Sequence, residues 1–385
     1  MSIIAQDLAP RLLIMIASPM TRSGVTLPLK YPLLVVITLL TLATGLRAQV
    51  SINVLQTNIH RDIGGSDSNM SSQPYLAQEI NFLNPDVWTL QELGGNNVSY
   101  NATTAYNYLV AFVQSDLTIF GASPAVGVNF FVYLSTRNDG YDAEAIVSRY
   151  PILSSQTYSD AGGGNSALRG LARVTLDIPG STNLDIFTTH LKALSTDSDA
   201  QKRMSEADVD SATIASWMAA HSSDAVIATG DWNETVESGA SANWSGHALG
   251  DSVTLTNGAT EAYNPVAKIK AAGLTDPRPV SIKGNVNTIS STKPNARFDY
   301  VMFAGNANYV SGQVFDTKQY TSTQLTALNT QFGTTFTSST SANASDHLAV
   351  FATFAIVPEP GTLSLLGVAI VVIVWRGRRQ SRAAT

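Results

Sequence analysis

The sequence predicts a layered α/β domain. Short apolar runs typical of buried strands alternate with segments whose apolar residues recur at helical spacing, and loops rich in Gly, Asn and Ser separate them. Hydrophobic residues make up 44% of the 385 residues and charged residues 14%, so the chain can bury a large core. We find no internal repeat of fixed period.

The predicted elements follow one another from Ser51, where the first strand, Ser51–Leu55, begins. A helix follows, because apolar residues recur at helical spacing from Leu76 to Leu83 before a proline ends the pattern. A second predicted helix covers Gln201–Ala220, and residues 236–296 and 317–345 are expected to be insertions or long loops. The remaining predicted strands are Val87–Leu90, Phe130–Leu134, Ala145–Val147, Leu171–Leu176, Leu184–Thr188, Ala225–Ala228, Tyr300–Phe303 and Leu348–Phe354.

Residues 1–48 are predicted to form an N-terminal signal peptide. Arg22 and Lys30 precede an apolar run, and Ala48 offers a small residue for cleavage. The first 19 residues lie outside this pattern, so Met20 is an alternative translation start. An uncleaved membrane anchor is the other interpretation, although the apolar run is short for a span of ~20 residues.

Residues 358–385 show a second three-part pattern. The sequence Val-Pro-Glu-Pro at 357–360 precedes an apolar stretch, Leu363–Trp375, and an arginine cluster at 376–379. This order resembles the PEP-CTERM sorting signal, which implies processing by an exosortase and delivery to the cell surface. A plain C-terminal transmembrane helix is the alternative. With either ending, we expect the catalytic domain, residues 49–357, to lie outside the cytoplasm, in the cell envelope, on the cell surface or secreted.

Composition excludes several kinds of site. The chain has no cysteine, so a disulfide framework, a thiolate zinc site, an iron–sulfur cluster and a cysteine nucleophile are all ruled out. Residues 49–357 carry 15 basic and 27 acidic residues, a net charge of −12. A body of this charge is poorly suited to tight non-specific binding of nucleic acid, but it does not forbid a local basic groove or a metal ion that screens phosphate.

Eight polar residues lie at the ends of predicted strands or within four residues of them. They are Asn58, Glu92, His190, Asp231, Asn233, Asp299, Asp346 and His347. Because the strand ends of stacked sheets meet at one rim, residues far apart in the sequence can build one site there. Any one of them alone would be interpreted as a loop residue or a cap, but eight in equivalent positions indicate a functional site.

The residue types favour metal-assisted phosphoryl transfer. Glu92, Asp346 and Asn58 offer hard oxygen ligands, which suit Mg²⁺ or Mn²⁺ better than zinc. The two histidines and the Asp-x-Asn pair remain for proton transfer and for contacts to a developing phosphate charge. Other hydrolases fit less well, because the sequence contains neither a Gly-x-Ser-x-Gly elbow nor a His-Glu-x-x-His motif. The glycine run at 162–165 is not followed by Gly-Lys-Ser/Thr and is interpreted as a loop.

Seven motifs in order resemble those of the endonuclease/exonuclease/phosphatase superfamily, which includes deoxyribonuclease I, exonuclease III and bacterial sphingomyelinases. The matching pieces are LQTN at 55–58, PDVWTLQE at 85–92, IVSRYPI at 146–152, TTHL at 188–191, TGDWN at 229–233, RFDYV at 297–301 and SDH at 345–347. The resemblance covers residues 51–354. It implies a four-layered α/β sandwich in which two packed mixed β-sheets are flanked by helices.

The resemblance also implies which residues hold the metal and the attacking water. Glu92 would bind the divalent ion, Mg²⁺ or Mn²⁺, with help from Asn58 and Asp346. Asp231 would orient or deprotonate the water, and Asn233 would hold this water and a phosphate oxygen.

Two histidines receive distinct roles from the same resemblance. His347, oriented by Asp299, would act near the scissile phosphate as an acid/base or as an electrostatic stabiliser. His190 would donate to a non-bridging oxygen or to the leaving group. A histidine at this position favours the deoxyribonuclease I and sphingomyelinase branches, because the exonuclease III branch lacks it.

Three further residues are candidate substrate ligands, each with a structural alternative. His60 follows the turn at Asn58 and is either a substrate contact or a loop histidine. Arg149 either binds phosphate or fixes a strand end, and Arg169 either reaches a phosphate or forms a structural ion pair.

The sequence therefore predicts an exported metal-dependent phosphodiesterase that acts as a monomer, with an extracellular nuclease acting on DNA or RNA ranked first. The alternatives are a sphingomyelinase-like phospholipase, a sugar- or inositol-phosphate phosphatase and a catalytically silent surface scaffold. A phospholipase would expose apolar loops to a membrane, whereas Phe130–Leu134 is expected to be a core strand.

Overall fold

A computed structural model of the protein describes residues 49–63, 71–94, 101–120, 130–135, 143–158, 169–235, 247–289 and 296–357. The chain divides into two compact units, and the unit Arg47–Glu359 contains all of the described residues. The predicted signal peptide and the apolar stretch of the C-terminal segment lie outside the described residues.

The first sheet has six strands in the spatial order β12-β13-β1-β2-β4-β3. These strands are β1 (Val50–Asn58), β2 (Val87–Leu93), β3 (Phe131–Leu134), β4 (Ala143–Ser148), β12 (Ala307–Phe315) and β13 (Ala349–Ile356). β1 and β2 run parallel, and every other neighbouring pair in this sheet is antiparallel. The sheet is therefore mixed. Because β1 and β2 are parallel, the residues that follow these two strands lie at the same edge of the sheet.

The second sheet has five strands in the order β11-β8-β7-β6-β5. These are β5 (Ile152–Tyr158), β6 (Leu171–Leu176), β7 (Leu184–His190), β8 (Ala225–Asp231) and β11 (Asp299–Gly305). β7 and β8 are parallel and the other pairs antiparallel, so this sheet is also mixed. β9 (Ser252–Thr254) and β10 (Thr260–Ala262) form a separate two-stranded ribbon.

Six α-helices are found in the part of the chain that the structure describes. They are α1 (Gln73–Leu83), α2 (Ala102–Asp116), α3 (Asp197–Ala220), α4 (Pro265–Lys270), α5 (Ser322–Phe332) and α6 (Thr340–Ala344). Two 3₁₀ turns cover Thr118–Phe120 and Thr317–Gln319. α3 begins with a capping box in which the Thr196 side chain and the Asp199 carboxylate each bond the other's backbone N–H.

Three large clusters of buried hydrophobic residues lie between successive layers of the fold. Side chains from both sheets, among them Val54 of β1 and Ile186 of β7, pack between the sheets. α1 and α2 cover the outer face of the first sheet around Trp88, and α3 and α4 cover the outer face of the second around Phe187. The fold is thus the predicted four-layered α/β sandwich, with two mixed sheets between helical layers.

The structure corrects several predicted elements. Residues 317–345, expected to be an insertion or a long loop, contain α5 and α6. α5 has a capping box at Thr321 and a left-handed Gly333 at its end. The interval 236–296 contains β9, β10 and α4 in its described part. Three elements were missed altogether, namely α2, β5 and β12. β5 is an edge strand with mostly exposed residues, so it lacks the apolar run that identifies a buried strand.

Phe131 is a further correction. It was expected in a core strand, but its side chain is 39% exposed. It lies on β3, the outermost strand of its sheet, in an apolar groove of about 390 Å³ that Tyr106 and Tyr133 also line.

Among the residues that the structure describes, no helix combines the length and the apolar character needed to cross a membrane.

Candidate active site

The ends of strands from both sheets converge on one rim. β1 ends at Asn58, β7 at His190 and β8 at Asp231. β11 runs antiparallel to β8, so its first residue, Asp299, pairs with Asp231. His190 pairs with Asp231 on the other side, which places three polar side chains across three neighbouring strands. His347 lies two residues before β13 at the same rim.

Glu92 reaches this rim through an irregularity in β2. The pairing with β4 shifts between Leu90 and Leu93, and Glu92 has a positive φ of 58°. A bulge of this kind redirects a side chain that a regular strand would place elsewhere. The Glu92 carbonyl also accepts a hydrogen bond of 3.0 Å from the Arg61 N–H, so the loop after β1 holds the bulge in place.

The Asn58 amide connects the two sheets. Its Nδ2 donates to Glu92 Oε1 at 3.0 Å and to Asp231 Oδ2 at 2.9 Å. Its Oδ1 accepts from the His60 N–H at 2.9 Å. One side chain therefore holds a carboxylate from each sheet at a set separation, and the Asn58 amide oxygen faces the backbone of the following loop.

His347 is held by a buried carboxylate. Its Nδ1 lies 2.8 Å from Asp299 Oδ2, and its Nε2 lies 3.6 Å from Asp231 Oδ2. Burial alone would lower the pKa of His347, but the Asp299 and Asp231 carboxylates outweigh it and hold this pKa well above the ordinary value. The imidazole is therefore cationic at neutral pH and points one nitrogen at Asp231.

Asp231 has an unusual protonation equilibrium. Its pKa is raised from 3.8 to about 7, chiefly by burial. The neighbouring Asp299 charge contributes to this rise, while His347 and the Asn58 amide oppose it. A carboxylate with a pKa near 7 can accept a proton at neutral pH.

The turn after β8 orients the second half of the Asp-x-Asn motif. The Asn233 N–H donates to Asp231 Oδ1 at 2.9 Å, and its Nδ2 donates to the Leu191 carbonyl at 2.9 Å. Asn233 has a left-handed φ of 48°, which asparagine tolerates better than most residues. Gly230 is required in the same motif, because an added Cβ would lie 2.1 Å from the Thr189 carbonyl oxygen.

Glu92, His190 and Asp231 could hold a metal ion, since one donor atom from each lies within 4.8 Å of the others. His190 Nε2 lies 3.8 Å from Glu92 Oε1 and 3.5 Å from Asp231 Oδ2. Two carboxylates and an imidazole are a suitable donor set for a divalent cation. The residues present therefore fit such an ion.

The metal-ligand set predicted from the sequence differs from this geometric set in two members, since it contains Asn58 and Asp346 in place of His190 and Asp231. The side chain of Asp346 is 49% exposed, and its Oδ1 accepts from Ser345 Oγ at 3.5 Å and lies 3.9 Å from His60 Nδ1. Asn58 turns its nitrogen, not its oxygen, toward Glu92. Glu92 is common to both sets.

The three candidate substrate ligands lie in different places. The structure does not bring Arg149 into the site. Its N–H bonds the Asp86 carbonyl at the start of β2, and its guanidinium bonds the Asp86 carboxylate at 3.2 Å and the Asn84 side chain at 2.6 Å. It therefore fixes a strand end on the side opposite Glu92. Arg169 lies at the site's edge and donates to the Leu191 carbonyl at 2.7 Å, and His60 lies at the rim with a positive φ of 46°.

Two buried glutamines behind the site were missed. Gln56 and Gln91 hydrogen-bond each other, and each also reaches the second sheet, Gln56 to Asp299 Oδ1 at 3.3 Å and Gln91 to Thr188 Oγ1 at 2.8 Å. Gln56 lies two residues before Asn58 and so shares its face of the strand. A polar residue on the buried face of an otherwise apolar strand was the available signal.

Glu206 of α3 is a second missed residue. Its buried carboxylate accepts from the Arg169 N–H at 2.8 Å and from the Lys192 N–H at 2.5 Å. The Glu206 carboxylate thereby holds in place the two segments that contain Arg169 and Lys192, next to His190. A lone Glu in a helix carries no signal for this contact in the sequence.

Comparison with known proteins agrees with this architecture. The model of the Endonuclease/Exonuclease/phosphatase family matches residues 55–347. A second model, the PEP-CTERM protein-sorting motif, matches residues 357–379 and implies export and sorting to the cell surface. None of the curated proteins matches the sequence.

Solved structures share the fold at low sequence identity. An endonuclease/exonuclease/phosphatase from Beutenbergia cavernae is similar with a TM-score of 0.50 and 18% identity, over 80% of this chain and 72% of that one. An endonuclease/exonuclease/phosphatase from Bacteroides vulgatus also has a TM-score of 0.50, with 12% identity over 80% of this chain and 99% of that one. At these identities the likeness concerns the fold alone.

Proposed function

The chain belongs to the endonuclease/exonuclease/phosphatase family, and on this premise we propose that it is an exported, Mg²⁺-dependent nuclease. The observation that carries the proposal is the arrangement around Asp231, whose carboxylate lies within 3.6 Å of the imidazoles of His190 and His347 and accepts from Asn58. Cationic, carboxylate and amide groups therefore lie together at one rim, and transfer of a phosphoryl group to water requires these kinds of group.

Glu92 is the central metal ligand in this proposal. Asn58 and Asp346 complete the set that the resemblance implies, and this set leaves the Asp231 carboxylate and the His190 imidazole to act on the water and the phosphate. In the alternative geometric set Asp231 and His190 would bind the ion instead. A bound Mg²⁺ or Mn²⁺ would neutralise phosphate charge and polarise the scissile bond. Asn58 keeps the Glu92 and Asp231 carboxylates in position for it.

Asp231 and Asn233 orient the attacking water. Asp231 accepts its proton, which a pKa of about 7 allows at neutral pH. The Asn233 N–H bonds Oδ1, while Oδ2 accepts from Asn58 and lies within 3.6 Å of the two imidazoles, where the water would bind. The water would then attack phosphorus while the Asn233 amide stays anchored on the Leu191 carbonyl.

The two histidines act on the phosphate. His347 carries a positive charge held by Asp299, so it stabilises the negative charge that grows on the phosphate oxygens. His190 is buried beside Glu92 and donates to a non-bridging oxygen or to the leaving group.

Nucleic acid is favoured over phospholipid as substrate. A lipase acting at a membrane needs an apolar surface around its active site. The groove around Phe131 does not supply one, because Phe131 pairs with Ser148, at the end of β4 opposite the end that adjoins Glu92. Export and sorting by the PEP-CTERM motif would bring the enzyme to extracellular nucleic acid, with an exosortase processing its C-terminus.

The test is nicking of supercoiled plasmid by purified residues 49–357 with Mg²⁺. We expect nicking that EDTA abolishes and that Asp231→Asn lowers by about 100-fold or more, within the ~10²–10⁴-fold range of general-base catalysis. Asp177→Asn is the matched control, because Asp177 is exposed at the end of β6, away from the rim. Absence of nicking with both Mg²⁺ and Mn²⁺ would contradict a nuclease and leave a small phosphoester, a phospholipid or the silent scaffold.

A further inference from the structure

A groove that contains two lysines adjoins the active-site rim beyond the end of β12. It has a volume of about 470 Å³, which is within the ~300–1,000 Å³ usual for ligand sites. One wall carries Lys283, Asn285 and Asn287, and the other carries Lys318 and Gln319. Ile289 and Asp316 complete its lining. No motif in the sequence predicts it, since the two walls lie more than thirty residues apart.

The first wall runs directly into the active site. Ile289 forms a β-bridge with His347, and the Leu348 N–H donates to the Thr288 carbonyl at 2.6 Å. The Thr288 hydroxyl in turn accepts from the Asp299 N–H at 3.1 Å. The backbone that lines the groove is therefore bonded directly to the segment that carries His347.

The two walls are held together by hydrogen bonds. Ser281 Oγ donates to Gln319 Oε1 at 2.5 Å, and the Val314 N–H donates to the Val280 carbonyl at 3.2 Å. The one acid in the lining, Asp316, accepts from the Lys318 N–H at 3.0 Å and from Gln319 Nε2 at 2.8 Å. Its carboxylate therefore serves as a cap for the turn that carries Lys318.

The positive charge of the two lysines indicates which kind of ligand the groove binds. The 49–357 body has a net charge of −12, so two lysines in one concavity form a local exception to its acidic character. Lysine ammonium groups and amide side chains bind phosphate oxygens and sugars. The Asn287 side chain bonds the Ile289 backbone at 2.9 Å through Nδ2, which keeps the wall extended.

We propose that this groove binds the phosphate backbone of a nucleic acid strand next to the nucleotide whose phosphodiester lies at His347. The inference rests on the proposed function and extends it, because a second phosphate site would give a polynucleotide an advantage over a small phosphoester.

The experiment measures binding without turnover. Fluorescence anisotropy of a labelled single-stranded DNA 20-mer is recorded with residues 49–357 in EDTA over a series of salt concentrations. Lys283→Ala and Lys318→Ala should each weaken binding about two- to threefold and lower the slope of log affinity against log salt by about 0.7. Both lysines are exposed, so neither substitution threatens the fold.

Lys270→Ala is the matched control, because it removes the same charge from an exposed position on α4 outside the groove. Affinities and salt slopes that change equally in all three variants, or in none, would overturn the inference. Plasmid nicking tests the proposed function separately, so an inactive protein whose DNA binding still depends on Lys283 and Lys318 would refute only the reaction.

Discussion

At the scale of single residues, the site depends on a small number of groups that hold charges close together. The Asn58 amide bonds both Glu92 and Asp231, and the imidazolium of His347 lies between Asp231 and Asp299. Without these donors, carboxylates buried at this rim would repel one another and take up protons. The same arrangement leaves Glu92 able to accept a cation, which gives the first prediction.

Glu92→Gln should weaken Mn²⁺ binding by more than about 10-fold, because it removes the ligand common to both candidate sets, and even outer contacts to a metal contribute about that much. Free Mn²⁺, measured by electron paramagnetic resonance, reports the affinity directly. Glu261→Gln, at a surface carboxylate bound to Lys268, is the control and should bind as the unchanged protein does. Affinity equal to that control would show that Glu92 is not a ligand. If His190→Gln weakens Mn²⁺ binding more than Asp346→Asn does, the ligand set is Glu92, His190 and Asp231.

At the scale of elements, α1 and α6 pack together around a buried acid. Glu79 of α1 is 3% exposed and hydrogen-bonds Ser341 of α6. Its pKa is raised from 4.5 to about 8, chiefly by burial. The Asp316 charge contributes to this rise, while the Ser341 bond opposes it. The folded protein therefore favours a protonated Glu79, whereas the unfolded chain releases that proton near pH 4.5. The stability that this group provides is full below pH 4.5 and is lost as the pH rises to about 8.

Glu79→Gln should remove this dependence, since glutamine cannot ionise. We expect the variant to be more stable than the unchanged protein by up to ~5 kcal/mol at pH 8.5, since each unit of difference between the folded and unfolded pKa is worth about 1.4 kcal/mol, and the advantage to vanish near pH 4.5. Urea unfolding at pH 4.5, 6.5 and 8.5 measures the difference. Glu261→Gln again provides the control, as its carboxylate lies at the surface. A constant difference at all three pH values would mean that Glu79 is ionised in the fold.

At the scale of the whole molecule, the first and last strands of residues 49–357 pair with each other in the first sheet. Val50, at the start of β1, pairs with Ile356, at the end of β13. β13 also pairs with β12, so it occupies a central position although it comes last in the chain. The core between the sheets includes Val350, Phe354 and Ile356 of this strand. The domain therefore depends on its last strand.

Residues 49–357 should unfold in one cooperative thermal transition, as expected for a complete core. Residues 49–348, which lack β13, should show none, because β12 loses its partner and the inter-sheet core loses several buried side chains. Circular dichroism at 222 nm during heating distinguishes the two. A cooperative transition in the shorter chain would show that β13 is dispensable.

Much of this could be predicted from the sequence, because some signals are local. The apolar runs of β1, β2, β7 and β8 identify buried strands, and the polar residues directly after them identify the rim. Family motifs and the fold class follow from the same local patterns. Missed elements had weaker signals: β5 is a polar edge strand, and α5 depends on its capping box more than on apolar periodicity. Arg149 was ambiguous because its Asp86 partner lies 63 residues away in the chain.

The local sequence patterns specify the chemical groups of the site and the strands that carry them. The packing of the two sheets determines which of these groups come into contact. Asn58 donates to both carboxylates, Asp346 stays half exposed, and Glu92 turns inward at a bulge with a positive φ. The lysines of the groove come from two walls that the chain order separates. The physical reason is that strand propensity and motif spacing act over a few residues, whereas distances between charges depend on how two sheets pack against each other.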